Sequence, residues 1–256
     1  MKSSTTLAIA AIFSVATATI STVHAAEDIV KRVAKGNTPG TTSVGTVLDV
    51  TNNAVRLKMK SAAGEITTSI PLEQIDSVTM QAPREYDAVI AKWREGDVKG
   101  TLALLEPLVA KFRGLPSPWM ERAMILLGEV KLTGGDIEGA EKVFADFQVL
   151  YPESTQMAEV ALGRLALEKG NIEQAREKVS EVASEARATL SAGPEKSAQF
   201  AQALFVMGGA YEKDEAFQDA LANYMLIITV FNSDAALVKQ AEVRAATLKE
   251  KKIVVP

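Results

Sequence analysis

The sequence predicts a mainly α protein, an array of antiparallel helix pairs preceded by a small antiparallel β module. Three observations support this prediction. Small residues recur at helical spacing after Pro83, with a period of about 34 residues. Apolar and polar residues alternate with a period of two between Val44 and Met80. The chain has no cysteine, so a packed apolar core rather than disulfides must stabilise it.

The first 25 residues have the pattern of a secretory signal peptide. Lys2 precedes a moderately apolar stretch over residues 7–20, and small residues stand near Ala25. A membrane anchor is the alternative, but this stretch contains Ser and Thr and is too short, since crossing a bilayer takes about 20 apolar residues. We therefore expect cleavage near Ala25 or Ala26. The product would be periplasmic or secreted, without stable membrane insertion, because no cysteine beside the cleavage site can carry a lipid.

The residue types that are missing exclude whole classes of enzyme. The single histidine, His24, lies inside the expected signal peptide. Without His or Cys there is no Ser-His-Asp or Cys-His nucleophile, no zinc site of the usual kind and no thiol redox centre. The net charge of −4 over the whole chain argues against a nucleic-acid partner, which needs a concentrated basic surface. We expect no catalytic residue, no cofactor and no metal.

Residues 26–43 are expected to form a short helix and a linker, and residues 44–81 the β module. Apolar and basic residues alternate from Val55 to Lys60, and similar runs on either side predict three to five short strands. Asn52-Asn53 and Gly64 fall between the runs and tolerate the left-handed backbone of tight hairpins. This order of strands and turns looks like the small SH3-like or Sm-like barrels.

So small a module buries little apolar surface by itself. We therefore expect it to pack on the helices or on a second copy of itself, which would make the protein a homo-oligomer. Its basic face either meets an anionic polymer or lipid of the cell envelope, or is a solvated sheet face. The second arrangement is the commoner one in sheets with one buried side.

A fixed frame of small residues organises the helical part of the sequence. Repeat units begin at Glu121, Gln156 and Ala201. Their eighth and twentieth residues are Gly128 and Ala140, Gly163 and Ala175, and Gly208 and Ala220. Small residues at these two positions let the axes of two antiparallel helices approach closely.

An earlier unit is degenerate, because Val89 and Thr101 stand where small residues are expected. Asp97, Asp136 and Asn171 each follow a turn glycine and are expected to cap the second helix of their unit. The whole pattern resembles the tetratricopeptide repeat (TPR) family. The resemblance implies a TPR-type α-solenoid with four repeats over residues 83–232, followed by a capping helix and tail over residues 233–256.

In the TPR family the first helix of each pair lines a concave groove that binds peptides or proteins. Carried over position by position, the resemblance implies these partner-binding residues: Tyr86, Trp93, Arg94, Arg122, Glu129, Arg164, Glu168, Phe205 and Lys213. The frame does not hold the Lys and Asn set with which chaperone-binding members clamp a C-terminal carboxylate.

Two alternatives stay open at the groove positions. The rings of Tyr86 and Trp93 are either hot-spot anchors for a partner or covers for the β module. Arg122 and Arg164 pair either with acidic groups of a partner or with Glu129 and Glu168 on neighbouring helices.

The sequence therefore predicts an exported TPR adaptor or scaffold that mediates protein–protein interactions in the cell envelope. The first alternative is a carboxylate-based cell-wall glycan hydrolase, which needs two acids roughly 5 to 10 Å apart in an aromatic-lined cleft. The second alternative is a purely structural envelope protein.

Overall fold

The computed structural model describes residues 27–34 and 39–250. Within them, five strands precede nine α-helices. The strands are β1 (Asp28–Arg32), β2 (Thr42–Thr51), β3 (Ala54–Ser61), β4 (Gly64–Pro71) and β5 (Ile75–Thr79), with a 3₁₀ turn at Leu72–Gln74. The helices are α1 (Arg84–Glu95), α2 (Val98–Phe112), α3 (Pro118–Thr133), α4 (Ile137–Leu150), α5 (Thr155–Glu168), α6 (Ile172–Thr189), α7 (Pro194–Lys213), α8 (Phe217–Thr229) and α9 (Ala235–Glu250). A mainly helical chain with an N-terminal antiparallel β module is confirmed. The expected signal peptide lies outside the described residues.

The five strands form one antiparallel sheet in the order β4-β3-β2-β1-β5. Asn52 and Asn53 join β2 to β3 with φ angles of 51° and 56°, the left-handed backbone that the sequence predicts for this hairpin. The short helix predicted after residue 26 is wrong, because Asp28–Arg32 is strand β1. Val30 is fully buried opposite Val78 of β5, so pairing with a distant strand decides the structure of this short segment.

The sheet packs on the helical part of the chain, one of the two arrangements expected for it. Helix α2 contacts β2, and the Val78 N–H donates to the Pro116 carbonyl oxygen at 2.9 Å. Val55 and Leu57 belong to the same apolar core as Leu105 of α2. On the basic face, Arg56 pairs with Asp49 and Lys58 pairs with Glu65.

Tight turns connect α1 to α2, α3 to α4, α5 to α6 and α7 to α8, and the two helices of each pair pack together. The first three turns place Gly96, Gly135 and Gly170 at φ angles of 79°, 83° and 80°, whereas the fourth places Glu215 at 60°. The prediction of second-helix caps is confirmed at two positions. Asp97 and Asp136 each accept a hydrogen bond at 2.9 Å, from the N–H groups of Gly100 and Gly139. At the third position, Asn171 is the N-cap residue of α6 as predicted, but its side chain makes no capping hydrogen bond.

The repeat glycines lie where the two helices of a pair touch. A Cβ added to Gly163 would lie 2.6 Å from Cγ1 of Val179, and one added to Gly208 would lie 2.8 Å from the ring of Tyr224. A Cβ at Gly128 would meet the ring of Phe144 in the same way. In each of these three pairs the contact joins position eight of the repeat to position twenty-four. The close helix approach predicted from the small residues is therefore present in three successive pairs.

Helix α9 packs on α8, as a capping helix would, and on α7. It also contacts α1, the first helix of the array. Ala236 of α9 accordingly belongs to the apolar core that contains the sheet and the first helices. None of the described helices is long and apolar enough to cross a membrane.

Candidate partner-binding pockets

Helices α1, α3, α5, α7 and α9 surround three neighbouring pockets. The larger pocket has a volume of about 570 Å³ and lies toward the N-terminal ends of these helices. Its lining includes Tyr86, Ile90, Trp93, Arg94, Glu121, Arg122, Ile125, Glu129, Gln156, Met157, Lys196, Gln199, Gln202 and Asp234. It combines an apolar wall with charges of both signs.

The smaller pocket, of about 320 Å³, lies toward the C-terminal ends of α1, α3 and α5, beside the middle of α7 and the N-terminal and middle parts of α9. Its lining includes Trp93, Arg94, Val98, Arg164, Phe205, Ala236, Lys239, Gln240, Val243 and Arg244. A central cavity of about 20 Å³ lies between the two pockets and shares Trp93 with both. It also shares Glu129 and Asp234 with the larger pocket and Arg164 with the smaller one, and Leu237 lines this cavity alone.

Trp93 is the residue common to all three spaces. It lies at the twelfth repeat position on α1, and only 7% of its surface is exposed. Its indole Nε1 is buried, and it has no hydrogen-bond partner among the described residues. Tyr86 lies two turns earlier on α1 and lines the larger pocket, with its ring centroid 6.1 Å from that of Trp119. Both rings therefore border the pockets.

Two carboxyl groups lie close together at the junction of the larger pocket and the central cavity. Glu129 comes from α3, and Asp234 comes from the turn before α9. Burial raises the pKa of Glu129 to about 8; the nearby charge of Asp234 adds to this effect, and Arg164 opposes it. Glu129 therefore keeps its proton at neutral pH. Asp234 caps α9, since its Oδ1 accepts from the N–H groups of Ala236 at 3.0 Å and Leu237 at 3.1 Å.

Arg164 is fixed from two sides. Its guanidinium lies 4.5 Å from the ring centroid of Phe205, which is only 3% exposed, and its Nε donates to Glu168 at 3.1 Å. Glu168 is one turn later on the same helix, so the pairing expected between neighbouring helices is wrong for this arginine. The ion pair lies within α5.

Seven of the nine predicted site residues line at least one pocket: Tyr86, Trp93, Arg94, Arg122, Glu129, Arg164 and Phe205. Glu168 and Lys213 are not among the lining residues; Glu168 supports Arg164, and Lys213 is exposed at the end of α7. The sequence analysis missed the lining residues of α9, among them Lys239, Gln240 and Arg244. Nothing in the repeat frame indicates that this helix reaches α1.

In the described part of the chain, no cluster of three or more His, Cys, Asp or Glu side chains is arranged to hold a metal ion. The carboxyl groups of Glu129 and Asp234 have Arg164 as a neighbour instead. The pockets present a surface that is partly apolar and partly charged.

No family model matches this chain, and no curated protein matches it. Among solved structures, a chain described as "MamA RS-1 ArsTM double mutant" is similar at 16% sequence identity and a TM-score of 0.36. The match covers 67% of this chain and 96% of that one. A TM-score of this size does not establish a common fold.

Proposed function

We propose that this chain is an exported adaptor that binds a protein or peptide partner in the pockets between α1, α3, α5, α7 and α9. The observation that carries the proposal is the convergence of separate repeat units on one space. Groove positions of all four units, including Trp93, Glu129, Arg164 and Phe205, line pockets that share Trp93. Pockets of this size with an apolar wall and a few polar groups are the usual form of a binding site.

The fold assignment within this proposal is a TPR-type solenoid preceded by an SH3-like or Sm-like module. The repeated contact between positions eight and twenty-four supports the first part. The sheet order, with a 3₁₀ turn before the last strand, supports the second. The export and periplasmic location rest on the sequence of residues 1–25.

Homo-oligomerisation through the sheet is a further part of the proposal. Strand β4 is an edge of the sheet, and Ile66 on it is 47% exposed. An edge strand with an exposed apolar residue is a surface on which another chain can pair. Sedimentation of the purified protein tests this, and a monomer at all concentrations would contradict it.

A matched pair of substitutions tests the adaptor function. Gln156→Trp places a large ring in the larger pocket, whereas Gln148→Trp places the same ring on α4, away from the pockets. The protein is immobilised and exposed to an extract of the envelope of the cells that make it. We expect wild type and Gln148→Trp to retain one partner in equal amounts, and Gln156→Trp to lose it. Equal retention by both variants would contradict the proposal.

A glycan hydrolase is the second candidate, and one observation favours it. Glu129 and Asp234 converge in a cleft that also holds Tyr86 and Trp93, and the raised pKa of Glu129 is that of a general acid. Against it, Asp234 already serves as the cap of α9 through two hydrogen bonds. A carboxylate engaged in this way is a poor nucleophile or base.

Turnover of labelled cell-wall glycan separates the two candidates. On the adaptor proposal, neither wild type nor Glu129→Gln releases label. Both retain the partner, because glutamine has nearly the shape of the protonated Glu129 side chain and is also neutral. Release of label by wild type and its loss in Glu129→Gln would replace the adaptor with the hydrolase. Glu177→Gln, at an exposed site on α6 that lines none of the pockets, is the matched control.

A further inference from the structure

The smaller pocket has an uneven distribution of charge. Arg94 of α1, Arg164 of α5, and Lys239 and Arg244 of α9 line it, and its lining contains no Asp or Glu. The chain as a whole has a net charge of −4. Four cations around one pocket are therefore a local feature that the overall composition does not explain.

Two of these cations have acidic partners and two do not. Arg164 pairs with Glu168 at 3.1 Å, and Arg244 pairs with Glu212 at 3.3 Å. Arg94 and Lys239 are exposed, and neither forms an ion pair with any residue that the structure describes. These two side chains are free to meet anionic groups of a ligand.

The surface between the cations is apolar. Trp93 and Phe205 are buried beneath it, and Val243 on α9 is 61% exposed, although it borders the pocket. The stacking of Arg164 on Phe205 fixes one guanidinium above this surface. A ligand that fits must bring both negative charge and an apolar group, because neither alone uses the whole lining.

We infer that the smaller pocket binds an acidic segment of a partner protein, in which Asp or Glu side chains alternate with apolar ones. Its carboxylates lie at Arg94 and Lys239, and an apolar side chain lies against Phe205 and Val243. A volume of about 320 Å³ accommodates one or two such side chains. The inference rests on the proposed adaptor function and adds the chemistry of the bound segment.

Fluorescence anisotropy with labelled synthetic peptides tests it on the full purified protein. The probe is a peptide of alternating Glu and Leu, compared with a Lys-Leu peptide and a Glu-Ser peptide. The pocket variant carries Arg94→Glu and Lys239→Glu. The control variant carries Lys31→Glu and Lys142→Glu, which make the same change in net charge at exposed sites on β1 and α4.

We expect wild type and the control variant to prefer the Glu-Leu peptide, with affinities that differ by less than about twofold. The pocket variant should bind it at least about tenfold more weakly at low salt, and added salt should weaken wild-type binding. Circular dichroism verifies that both variants keep their helices.

Four results would overturn the inference: equal binding of the Lys-Leu peptide, equal binding of the Glu-Ser peptide, an equal loss in the control variant, or binding only after removal of residues 251–256. The second result would indicate attraction of any polyanion, and the fourth would indicate that the chain's own end fills the pocket. If any of these results is found but a native partner is still retained through the larger pocket, the acidic-segment inference fails and the adaptor function stands. If in addition no native partner is retained, both the inference and the adaptor function are refuted.

Discussion

Gly163→Ala tests the packing that holds a helix pair together. The new methyl group would lie 2.6 Å from Cγ1 of Val179, where two carbon atoms in contact need about 3.5 Å. Val179 is fully buried, and the Ala175 carbonyl oxygen, at 3.3 Å, limits movement in another direction. Helices α5 and α6 must therefore separate by a substantial part of an ångström.

The expected effect is the difference between two opposing terms. Overpacking of a core costs about 1 to 3 kcal/mol, and the direct clash with a buried side chain places this site in the upper part of that range. Alanine is favoured over glycine in a helix interior by about 1 kcal/mol, which offsets part of the cost. We expect the free energy of unfolding to fall by about 1.5 kcal/mol, and the melting temperature by about 3 to 6 °C.

Urea unfolding followed by far-UV circular dichroism measures the change, provided that the dependence on urea concentration stays the same. In the double variant Gly163→Ala/Val179→Ala the clashing methyl group is absent, so the two substitutions should be coupled by about 1 kcal/mol or more. Gly128→Ala should cost more than Gly163→Ala, because the ring of Phe144 is larger and equally buried. The close-contact explanation is refuted if Gly163→Ala is as stable as wild type. It is also refuted if the effects of Gly163→Ala and Val179→Ala on the free energy of unfolding are simply additive.

Three other predictions concern Glu129, Glu215 and Trp93. The folded state binds the Glu129 proton more tightly than the unfolded state, in which the pKa is 4.5. The free energy of unfolding should therefore fall by about 1.4 kcal/mol per pH unit between about pH 5 and about pH 8. Unfolding at several pH values should show this slope reduced in Glu129→Gln but not in Glu177→Gln, at an exposed site on α6. Glu215→Gly should raise the melting temperature by about 1 to 2 °C, because φ is 60° at this position and glycine adopts that backbone without strain. Lys213→Gly, within α7, should lower the melting temperature instead. The opposite order would contradict the assignment of strain to Glu215. Trp93→Ala should lower the free energy of unfolding by about 3 kcal/mol, because it removes a buried ring, and Trp93→Phe should lower it by much less. Calorimetry measures both changes. If it shows no loss of stability in Trp93→Ala, the ring is not part of the core.

The sequence revealed the helix pairs because close approach restricts residue type locally. Gly128, Gly163 and Gly208 each face a bulky residue sixteen positions later, and only glycine fits. Hairpins and helix caps also restrict residue type locally, because they depend on neighbours in the chain. The sequence therefore predicted the hairpin at Asn52-Asn53 and the caps at Asp97 and Asp136. Seven of the nine site residues predicted from this frame line at least one pocket.

What the sequence did not reveal depends on distant contacts. Residues 28–32 are compatible with a helix or a strand when considered alone, and pairing with β5, which follows some forty residues later, decides between them. The contribution of Lys239 and Arg244 to the smaller pocket depends on the position of α9 beside α1, the first helix of the array. No short pattern of residues encodes a contact between elements so far apart in the sequence.

The contact between α1 and α9 has a consequence for folding. In an open array each unit touches only its neighbours, so either end frays without affecting the other. Here the first and last helices touch, and loosening one removes native contacts from the other. We therefore expect the two ends to unfold as one cooperative block. Because closing so long a stretch of chain loses much conformational entropy, we expect this contact to form late, after the individual hairpins of helices have assembled.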